Sequence, residues 1–346
     1  MSLIELPNWQ LLKDCMQKNS LETNIFTVMR KFTEPFDIDL VYLWVDGSDP
    51  EWIAKKNRFL GVGIASNSEA TTKGRFTDNG ELKYSLRSAE KNVPWVRKIF
   101  IITDEQTPTW LDQQNEKVEI VDIRQILPTE TLPCYNSVII EHFIWKISGL
   151  AEHFLYANDD MFFDAPLSPS FFFTPEGFPI VRLQRYFFGK WVNSFKKAFS
   201  LHTNIYRKTI HRSALLIEQK TGEYFSAMPH HNVDSYLKSD YRNVVETDFR
   251  EEISCTLTNH IRSENDIQRI IYLYYALAMK RGKLRYVGRS ESCRIRLHKP
   301  NYMYFINKYQ PALFCLNDSH HSTDADRVRV EPFLETLFPE KSSFEI

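Results

Sequence analysis

Two adjacent carboxylates follow an apolar segment near the middle of the sequence. Asp159 and Asp160 come directly after residues 153–157 and Asn158, where the apolar run is typical of a buried strand. Carboxylate oxygens are ligands that Mg²⁺ and Mn²⁺ prefer, and these ions usually leave part of their shell to water and substrate phosphate. The pattern indicates a metal site, although a solvated turn would also contain aspartates.

Two later segments could supply an acid–base group and a cation. His230 precedes a predicted helix that carries Asp234. A histidine near its neutral-pH transition can take a proton from an attacking hydroxyl, and a carboxylate such as Asp234 or Asp266 could orient it. Arg262 could stabilise charge on a phosphate. The alternatives are a structural histidine and, for Ser263 and Asp266, a helix-capping box.

Two N-terminal segments combine turn residues with charged side chains. Gly47 would let the backbone approach a phosphate closely, and the predicted helix that begins at Glu81 could receive an anion at its N-terminus. Lys83 and Arg87 are four residues apart and would share one helical face. Turn formation and solvated charge are the competing interpretations. The candidate substrate-binding residues of these segments are Asp46, Gly47, Asp49, Arg75, Asp78, Asn79, Lys83 and Arg87.

Alternating strands and helices must position these groups. Apolar runs predict strands over residues 39–45, 98–103, 118–123 and 153–157, with helices over 81–91 and 137–150. Such alternation favours an α/β domain with a largely parallel sheet. Three of the four predicted strands end in acidic residues. Because ligands of open α/β sheets bind beyond the carboxyl ends of the strands, we expect these acids to face one crevice.

The remaining chain predicts additional helices and an aromatic insertion. Helical spacing predicts a leading helix over residues 6–19, within an N-terminal helical extension of residues 1–36, and a catalytic domain over 37–346. Further helices are expected over residues 208–222, 232–239 and 263–281, the last stopping at Gly282 as its C′ residue. The aromatic stretch at about residues 165–200 is interpreted as an inserted lid or acceptor-binding surface.

Composition excludes several classes of function. The 346 residues include 43 basic and 44 acidic side chains, so no global field attracts nucleic acid or anionic lipid. The five cysteines are scattered and form no CxxC pair, which argues against a disulfide framework or a zinc knuckle. The first residues lack the pattern of a signal peptide. We expect a cytoplasmic protein, which could still attach to a membrane through a partner.

Four separated segments, in order, resemble the conserved regions of the Stealth family. This family includes bacterial capsular-polysaccharide phosphotransferases and the catalytic subunit of the animal enzyme that phosphorylates mannose on lysosomal glycoproteins. The segments are DIDLVYLWVDGSDPEW at 37–52; RFTDNGELKYSLRS and its continuation through YANDDMFF at 75–163; SLHTNIY with MPHHNVDSYL; and FCLNDSHH with LFPEKSSFE.

The resemblance implies a fold, a reaction and site residues. It implies a GT-A-like, Rossmann-type α/β sheet with helical insertions. It also implies transfer of hexose-1-phosphate or N-acetylhexosamine-1-phosphate from a UDP-sugar to a carbohydrate hydroxyl, which forms a phosphodiester and releases UMP. The acceptor would be an oligosaccharide or a lipid-linked glycan, with Mg²⁺ or Mn²⁺ as cofactor, and the protein could associate peripherally with a membrane polysaccharide-assembly complex. The residues carried over are Asp159 and Asp160 as metal ligands; His230, Arg262 and Asp266 as catalytic residues; and, for substrate, Asn136, Asn204, Asn317 and Asp318.

Two other functions fit the same residues. A conventional metal-dependent glycosyltransferase would share the fold but release UDP. A non-catalytic polysaccharide-assembly protein would suit the aromatic stretch at residues 171–191, although the clustering of Asp, His and Arg at element ends does not favour it.

Overall fold

The computed structural model describes residues 36–61, 73–186, 188–199, 201 and 203–346. The leading helix predicted at 6–19 lies outside these residues, as does the extension of which it is part, up to Phe36. Residues Asp37–Ile346 form a single compact unit.

The strands form three sheets. They are β1 Ile38–Leu43, β2 Ile99–Thr103, β3 Val118–Asp122, β4 His153–Asn158, β5 Met161–Phe163, β6 Ile180–Gln184, β7 Met228–Pro229, β8 Asp234–Leu237, β9 Lys283–Tyr286, β10 Ser292–Arg296 and β11 Leu313–Asn317. The main sheet has the order β3-β2-β1-β4-β8, and the smaller ones are β10-β11-β5 and β7-β6-β9.

The helices surround these sheets in chain order. They are α1 Pro50–Leu60, α2 Glu81–Asn92, α3 Ile123–Ile126, α4 Ser137–His142, α5 Gly189–Ala198, α6 Ile205–Thr221, α7 Lys238–Asn243, α8 Arg250–Ser254, α9 Ile270–Ala278, α10 Tyr302–Tyr309, α11 Asp324–Arg327 and α12 Val330–Leu337.

The main sheet confirms the predicted α/β class. Strand β1 pairs in parallel with β2 and β4, so that Val41 lies opposite both Phe100 and Tyr156. All three side chains are fully buried, as expected of a parallel sheet that is covered on both faces. Only β8 is antiparallel to its neighbour, β4. The carboxyl ends of β1, β2, β3 and β4 therefore meet at one edge.

Residues 234–237 form a strand within the segment 232–239, where we predicted a helix. Strand β8 pairs with β4, and Tyr236 stacks on Phe154 with the ring centroids 5.7 Å apart. The helical pattern is overridden because the edge of β4 offers hydrogen bonds and an aromatic partner to this short segment.

Two other predicted helices are shorter than expected. Helix α4 ends at His142, because the Phe143 N–H returns to the Ile140 carbonyl and tightens the last turn. The helix predicted over 263–281 begins only at Ile270, since side-chain hydrogen bonds to Asp266 hold the preceding residues in turns. It ends at Ala278, and Lys280 takes the left-handed conformation that we assigned to Gly282, with φ 57°.

The aromatic stretch at residues 165–200 contains regular elements. It includes strand β6 and helix α5, and its Phe172 and Phe173 are buried. The buried rings belong to the core, and the most exposed aromatic side chains that the structure describes in this stretch lie in its later part.

Arg87 joins helix α2 to the C-terminal segment. Its guanidinium donates to both carboxylate oxygens of Glu345 at 2.8 Å, to Glu335 at 3.0 Å and to the Phe338 carbonyl at 2.8 Å. The Arg87 and Glu345 side chains are only 6% and 3% exposed. We predicted Arg87 as a substrate-binding residue, but in the structure its N–H groups donate to residues of the C-terminal segment.

Replacing Arg87 by Met should lower the free energy of unfolding by about 3–5 kcal/mol, because Glu345 would remain buried without its partner. Urea denaturation followed by circular dichroism measures this loss. Lys83→Met, one helical turn away, is the matched control. Lys83 pairs with the exposed Glu331, so its loss should cost about 1 kcal/mol or less. Equal losses in the two variants would contradict a structural role specific to Arg87.

Candidate functional site

A cavity lies at the carboxyl-end edge of the main sheet. It is bordered by residues that follow β1, β2 and β4, by the loop before α2 and by the end of β11. Its polar lining includes Arg75, Asn79, Glu81, Asp104, Asn158, Asp159, Asp160, His231, Arg262, Asn317 and Asp318. Seven of the residues predicted from sequence therefore meet here: Arg75, Asn79, Asp159, Asp160, Arg262, Asn317 and Asp318.

Asp159 lies within a group of three carboxylates. One oxygen from each of Asp78, Glu81 and Asp159 lies within 4.8 Å of the others. Burial raises the pKa of Glu81 to about 8. Burial, followed by the charges of Glu81, Asp160 and Asp78, raises the pKa of Asp159 well above its usual range. The ionised forms repel one another in a region with little water, and positive charge between them would relieve that repulsion.

Asp160 points one oxygen at Cys315 and leaves the other without a partner. The Cys315 thiol donates to Asp160 Oδ2 at 3.3 Å, whereas Oδ1 is buried with no hydrogen-bond partner. Burial raises the pKa of Asp160 to about 6. His231 brings a ring nitrogen within 4.8 Å of the Asp160 and Cys315 ligand atoms. An unpaired buried carboxylate oxygen is costly unless a ligand completes its interactions.

These two groups fit a hard divalent cation. The free oxygen of Asp160 and the crowded oxygens of Asp159 are the kind of donors that Mg²⁺ and Mn²⁺ take. The Cys315 thiol is a poor ligand here, because burial raises its pKa well above the usual value and it donates to Asp160. Asp159 and Asp160 belong to separate groups, so that they hold one cation together stays a prediction, and Glu81 and Asp78 add negative charge beside Asp159.

Buried hydrogen bonds hold the turn that carries Arg262 at the cavity. Its Nη2 donates to Ser137 Oγ at 2.6 Å. Asp266 accepts from the Ser263 N–H at 2.8 Å, from Asn259 at 2.7 Å and from Asn136 at 3.0 Å. Both Asp266 and Asn136 are fully buried. Neither lines the cavity, so they fix the turn that carries Arg262, and Arg262 is the member of this group placed to contact substrate.

The two adjacent histidines have different surroundings. His230 is 1% exposed, and its ring nitrogens lie 2.9 Å from both Ser292 Oγ and Asp234 Oδ1. It does not line the cavity. His231 does, and its Nε2 lies 3.2 Å from the Asn317 amide. Its backbone φ is 58°, a value that non-glycine residues adopt mainly under structural constraint, often at functional sites.

The Asp-Gly-Ser-Asp loop shapes the cavity wall without lining it. Asp46 accepts the Ser48 N–H and hydroxyl, and Asp49 caps helix α1 by accepting from the Glu51 N–H at 2.8 Å. A side chain on Gly47 would place its Cβ 2.1 Å from the Phe76 carbonyl oxygen. Gly47 is thus required by the neighbouring backbone, and the carboxylates of this loop stabilise turns.

A second close approach brings the C-terminal region to the site. A Cβ on Gly74 would lie 2.7–2.9 Å from the carboxylate of Asp318. Arg327 holds that carboxylate from the other side, with Nε 2.8 Å from Oδ2. Asp318 therefore enters the cavity beside Gly74, which explains why chemistry-bearing residues so distant in sequence meet there.

Two further predicted substrate residues are engaged elsewhere. The Lys83 ammonium pairs with Glu331, and Asn204 caps helix α6 by accepting the Arg207 N–H at 2.9 Å. Conversely, our sequence analysis did not assign Glu81, His231 or Cys315 to the site. Asp104 was expected to face the crevice, because it follows a predicted strand, and it lines the cavity. His231 differs from His230 only through backbone geometry, which sequence does not report.

Three family models match the chain. They are Stealth protein CR1, conserved region 1, at residues 36–61; Stealth protein CR2, conserved region 2, at 75–181; and Stealth protein CR4, conserved region 4, at 305–346. The chain belongs to the Stealth family. The matched regions contain Asp78, Glu81, Asp159 and Asp160 and the segment with Asn317 and Asp318, so they supply much of the cavity lining, whereas His231 and Arg262 lie outside them.

Curated Stealth-like relatives are similar over most of this chain. An exopolysaccharide phosphotransferase of Nocardia farcinica is 32% identical over 90% of this chain and 61% of its own length. The capsular polysaccharide phosphotransferase SacB of Neisseria meningitidis serogroup A is 31% identical over 98% of this chain and 62% of its length. The receptor polysaccharide phosphotransferase WefC of Streptococcus oralis is 28% identical over 89% and 99%. The chain spans about three fifths of the first two relatives.

Among solved structures, the galactosyltransferase LgtC with donor and acceptor sugar analogues aligns over 88% of this chain and 96% of its own. The TM-score is 0.42 and the sequence identity 9%.

Mn²⁺ should bind this Stealth protein at the cavity, and Asp160→Asn should weaken binding about tenfold or more, because the amide removes a charged ligand. Titration followed by electron paramagnetic resonance measures free and bound Mn²⁺ directly. Asp46→Asn is the control, since an amide oxygen can still accept the Ser48 hydrogen bonds. Unchanged affinity in Asp160→Asn would exclude Asp160 as a ligand.

Proposed function

We propose that this protein transfers hexose-1-phosphate, or N-acetylhexosamine-1-phosphate, from a UDP-sugar to a carbohydrate hydroxyl during surface-polysaccharide synthesis. The observation that carries the proposal is the meeting of Asp159, Asp160, Arg262 and His231 in one cavity of a chain that belongs to the Stealth family. The names of the relatives, which are phosphotransferases of exopolysaccharide, capsule and receptor polysaccharide, support the same class of reaction.

The acidic and basic sides of the cavity suit a diphosphate. The donor phosphates and the acidic side chains are both negatively charged and would repel one another. A divalent cation at Asp159 and Asp160 would supply the positive charge that offsets this repulsion. Arg262, fixed by Ser137, faces the same space and can donate two N–H groups to the phosphate under attack. Since Asp266 and Asn136 lock its turn, Arg262 would stabilise the developing charge with little reorganisation.

His231 is the residue that we assign to proton removal. Burial, with the charges of Arg294, Arg269 and Arg262, lowers the pKa of His231 to about 3, so the ring is neutral and one nitrogen can accept a proton. A bound phosphate would offset the charge of Arg262 and thereby raise this pKa towards a value useful for a base. His230 held this role in the sequence-based assignment, but both its nitrogens already have partners.

The bond changes follow from attack on phosphorus. The acceptor hydroxyl oxygen forms a bond to the phosphorus nearest the sugar, and its proton passes to His231. The bond between this phosphorus and the bridging oxygen breaks, and its electron pair leaves with UMP. The bond from the anomeric carbon to oxygen is untouched, so the product keeps the configuration of the donor.

The released nucleotide tests the proposed reaction. Purified protein is incubated with a panel of UDP-sugars, Mg²⁺ and a carbohydrate acceptor, and the products are identified by chromatography and ³¹P NMR. Release of UMP, with phosphorus in a diester of the product, is the expected result. Asp160→Asn serves as the control without turnover. UDP release would instead establish a conventional glycosyltransferase, and absence of turnover with every donor would favour a non-catalytic assembly protein.

The two histidines should differ in their effect on turnover. His231→Ala should lower kcat by about 10²–10⁴, the usual contribution of a general base, while Mn²⁺ affinity and the unfolding midpoint change little. His230→Gln keeps a polar side chain for Asp234 and Ser292, so it should mainly lower the unfolding midpoint. A large loss of kcat in His230→Gln, combined with near-normal kcat in His231→Ala, would restore the assignment made from sequence.

A further inference from the structure

Four aromatic residues form an exposed apolar surface on and beside helix α5. Phe188, Trp191, Phe195 and Phe199 are 75%, 77%, 56% and 64% exposed. Their spacing of three, four and four residues places them on one side of a helix, and the Phe195 and Phe199 rings lie 4.5 Å apart. Single exposed aromatic residues are ordinary, but four together mark a binding surface. We call these four residues the aromatic face.

The opposite side of α5 attaches the helix to the protein. Gly189 is buried, and a Cβ there would lie 2.7 Å from the ring of Tyr186 and 3.1 Å from Ser226. Lys190 forms an ion pair with Glu218 of helix α6. Because these contacts hold the helix from behind, the aromatic face points away from the body of the protein.

The segment around the aromatic face is strongly basic. Residues 177–217 contain eight Arg and Lys side chains and no Asp or Glu, although the whole chain is close to neutral. Three of the eight, Arg182, Lys190 and Lys208, pair with glutamates outside the segment. Arg185 and Arg207, which flank α5 in the chain, are exposed. An occupant of this surface therefore meets aromatic side chains bordered by positive charge.

We propose that the aromatic face binds the surface of an anionic lipid bilayer. Interfacial helices that lie in the plane of a bilayer combine Trp and Phe on one side with flanking Lys and Arg, and each basic residue near an anionic surface adds about 1 kcal/mol. A second copy of this chain is a poorer partner, because it would bring the same positive segment against itself. Among the described residues no helix is long and apolar enough to cross a bilayer.

The position of α5 gives this contact a use. The chain runs from α5 into α6, where the Tyr206 ring centroid lies 6.3 Å from that of His231. The aromatic face therefore precedes, in the chain, a helix that contacts a cavity residue, and a bilayer bound there could present a glycan attached to lipid. This last step rests on the proposed function, whereas binding of the bilayer itself does not.

Vesicle sedimentation tests the proposal without measuring turnover. The complete protein is mixed with vesicles of phosphatidylglycerol and phosphatidylcholine, or of phosphatidylcholine alone. Binding to the anionic vesicles should be stronger by about tenfold or more and should weaken with added salt. The triple variant Trp191→Gln, Phe195→Gln, Phe199→Gln should lose about tenfold or more of this binding. The exposed pair Tyr304→Gln, Val328→Gln, remote in sequence, is the control and should bind as the wild type does.

Three outcomes would overturn the proposal. They are no binding of the wild type to anionic vesicles, equal binding by the triple variant, and self-association of the wild type that the triple variant abolishes in analytical ultracentrifugation. The last would make the aromatic face an interface between copies. Circular dichroism and Mn²⁺ affinity verify that the triple variant is folded. Failure of sugar-phosphate transfer would leave the vesicle result unaffected, so the two proposals are separable.

Discussion

The crowding of buried carboxylates at the end of β4 is the constraint on which the site depends. Asp78, Glu81 and Asp159 lie together, and Asp160 adds a buried oxygen with no partner. Burial disfavours the charge of each group and their mutual repulsion adds to the cost, so this arrangement is unfavourable for the isolated fold. Proteins retain such groups where a ligand compensates them. A divalent cation would supply the positive charge that this cluster lacks.

Holding these acids in place requires segments from the whole chain. The parallel pairing of β1, β2 and β4 brings the first acids to one edge, and the close approach of Asp318 to Gly74 adds the C-terminal region. Arg87 then anchors that region through the buried Glu345. The cavity is therefore a product of long-range packing, and a change far from it, such as loss of Arg87, acts on it through stability.

Periodicity predicted the four main strands and the edge where the site lies, because buried parallel strands have a strong local signal. It failed where side chains override local preference. Residues 234–237 pair with β4 although their neighbours suggest a helix, and Asp266 gathers three N–H donors that keep residues 263–266 from continuing α9. Residues that follow strands, such as Asp159 and Asp160, line the cavity at the edge where we expected it. Asp46, Asp49 and Asn204 have equally suggestive types, but their side chains satisfy turns and caps.

The pair His230–His231 shows why residue type alone cannot assign a role. The left-handed backbone of His231 turns successive side chains to different sides. His230 enters a buried network in which Asp234 also lies 3.5 Å from Arg269, and Arg269 lies 3.6 Å from Glu141. Although burial opposes ionisation, His230 and Arg269 lower the pKa of Asp234. This paired network costs less to bury than isolated charges would, and it anchors the turn from which His231 reaches the cavity. The role that we propose for His231 therefore depends on His230 for position, so loss of either would reduce activity, and only separate measurements of turnover and folding distinguish the two.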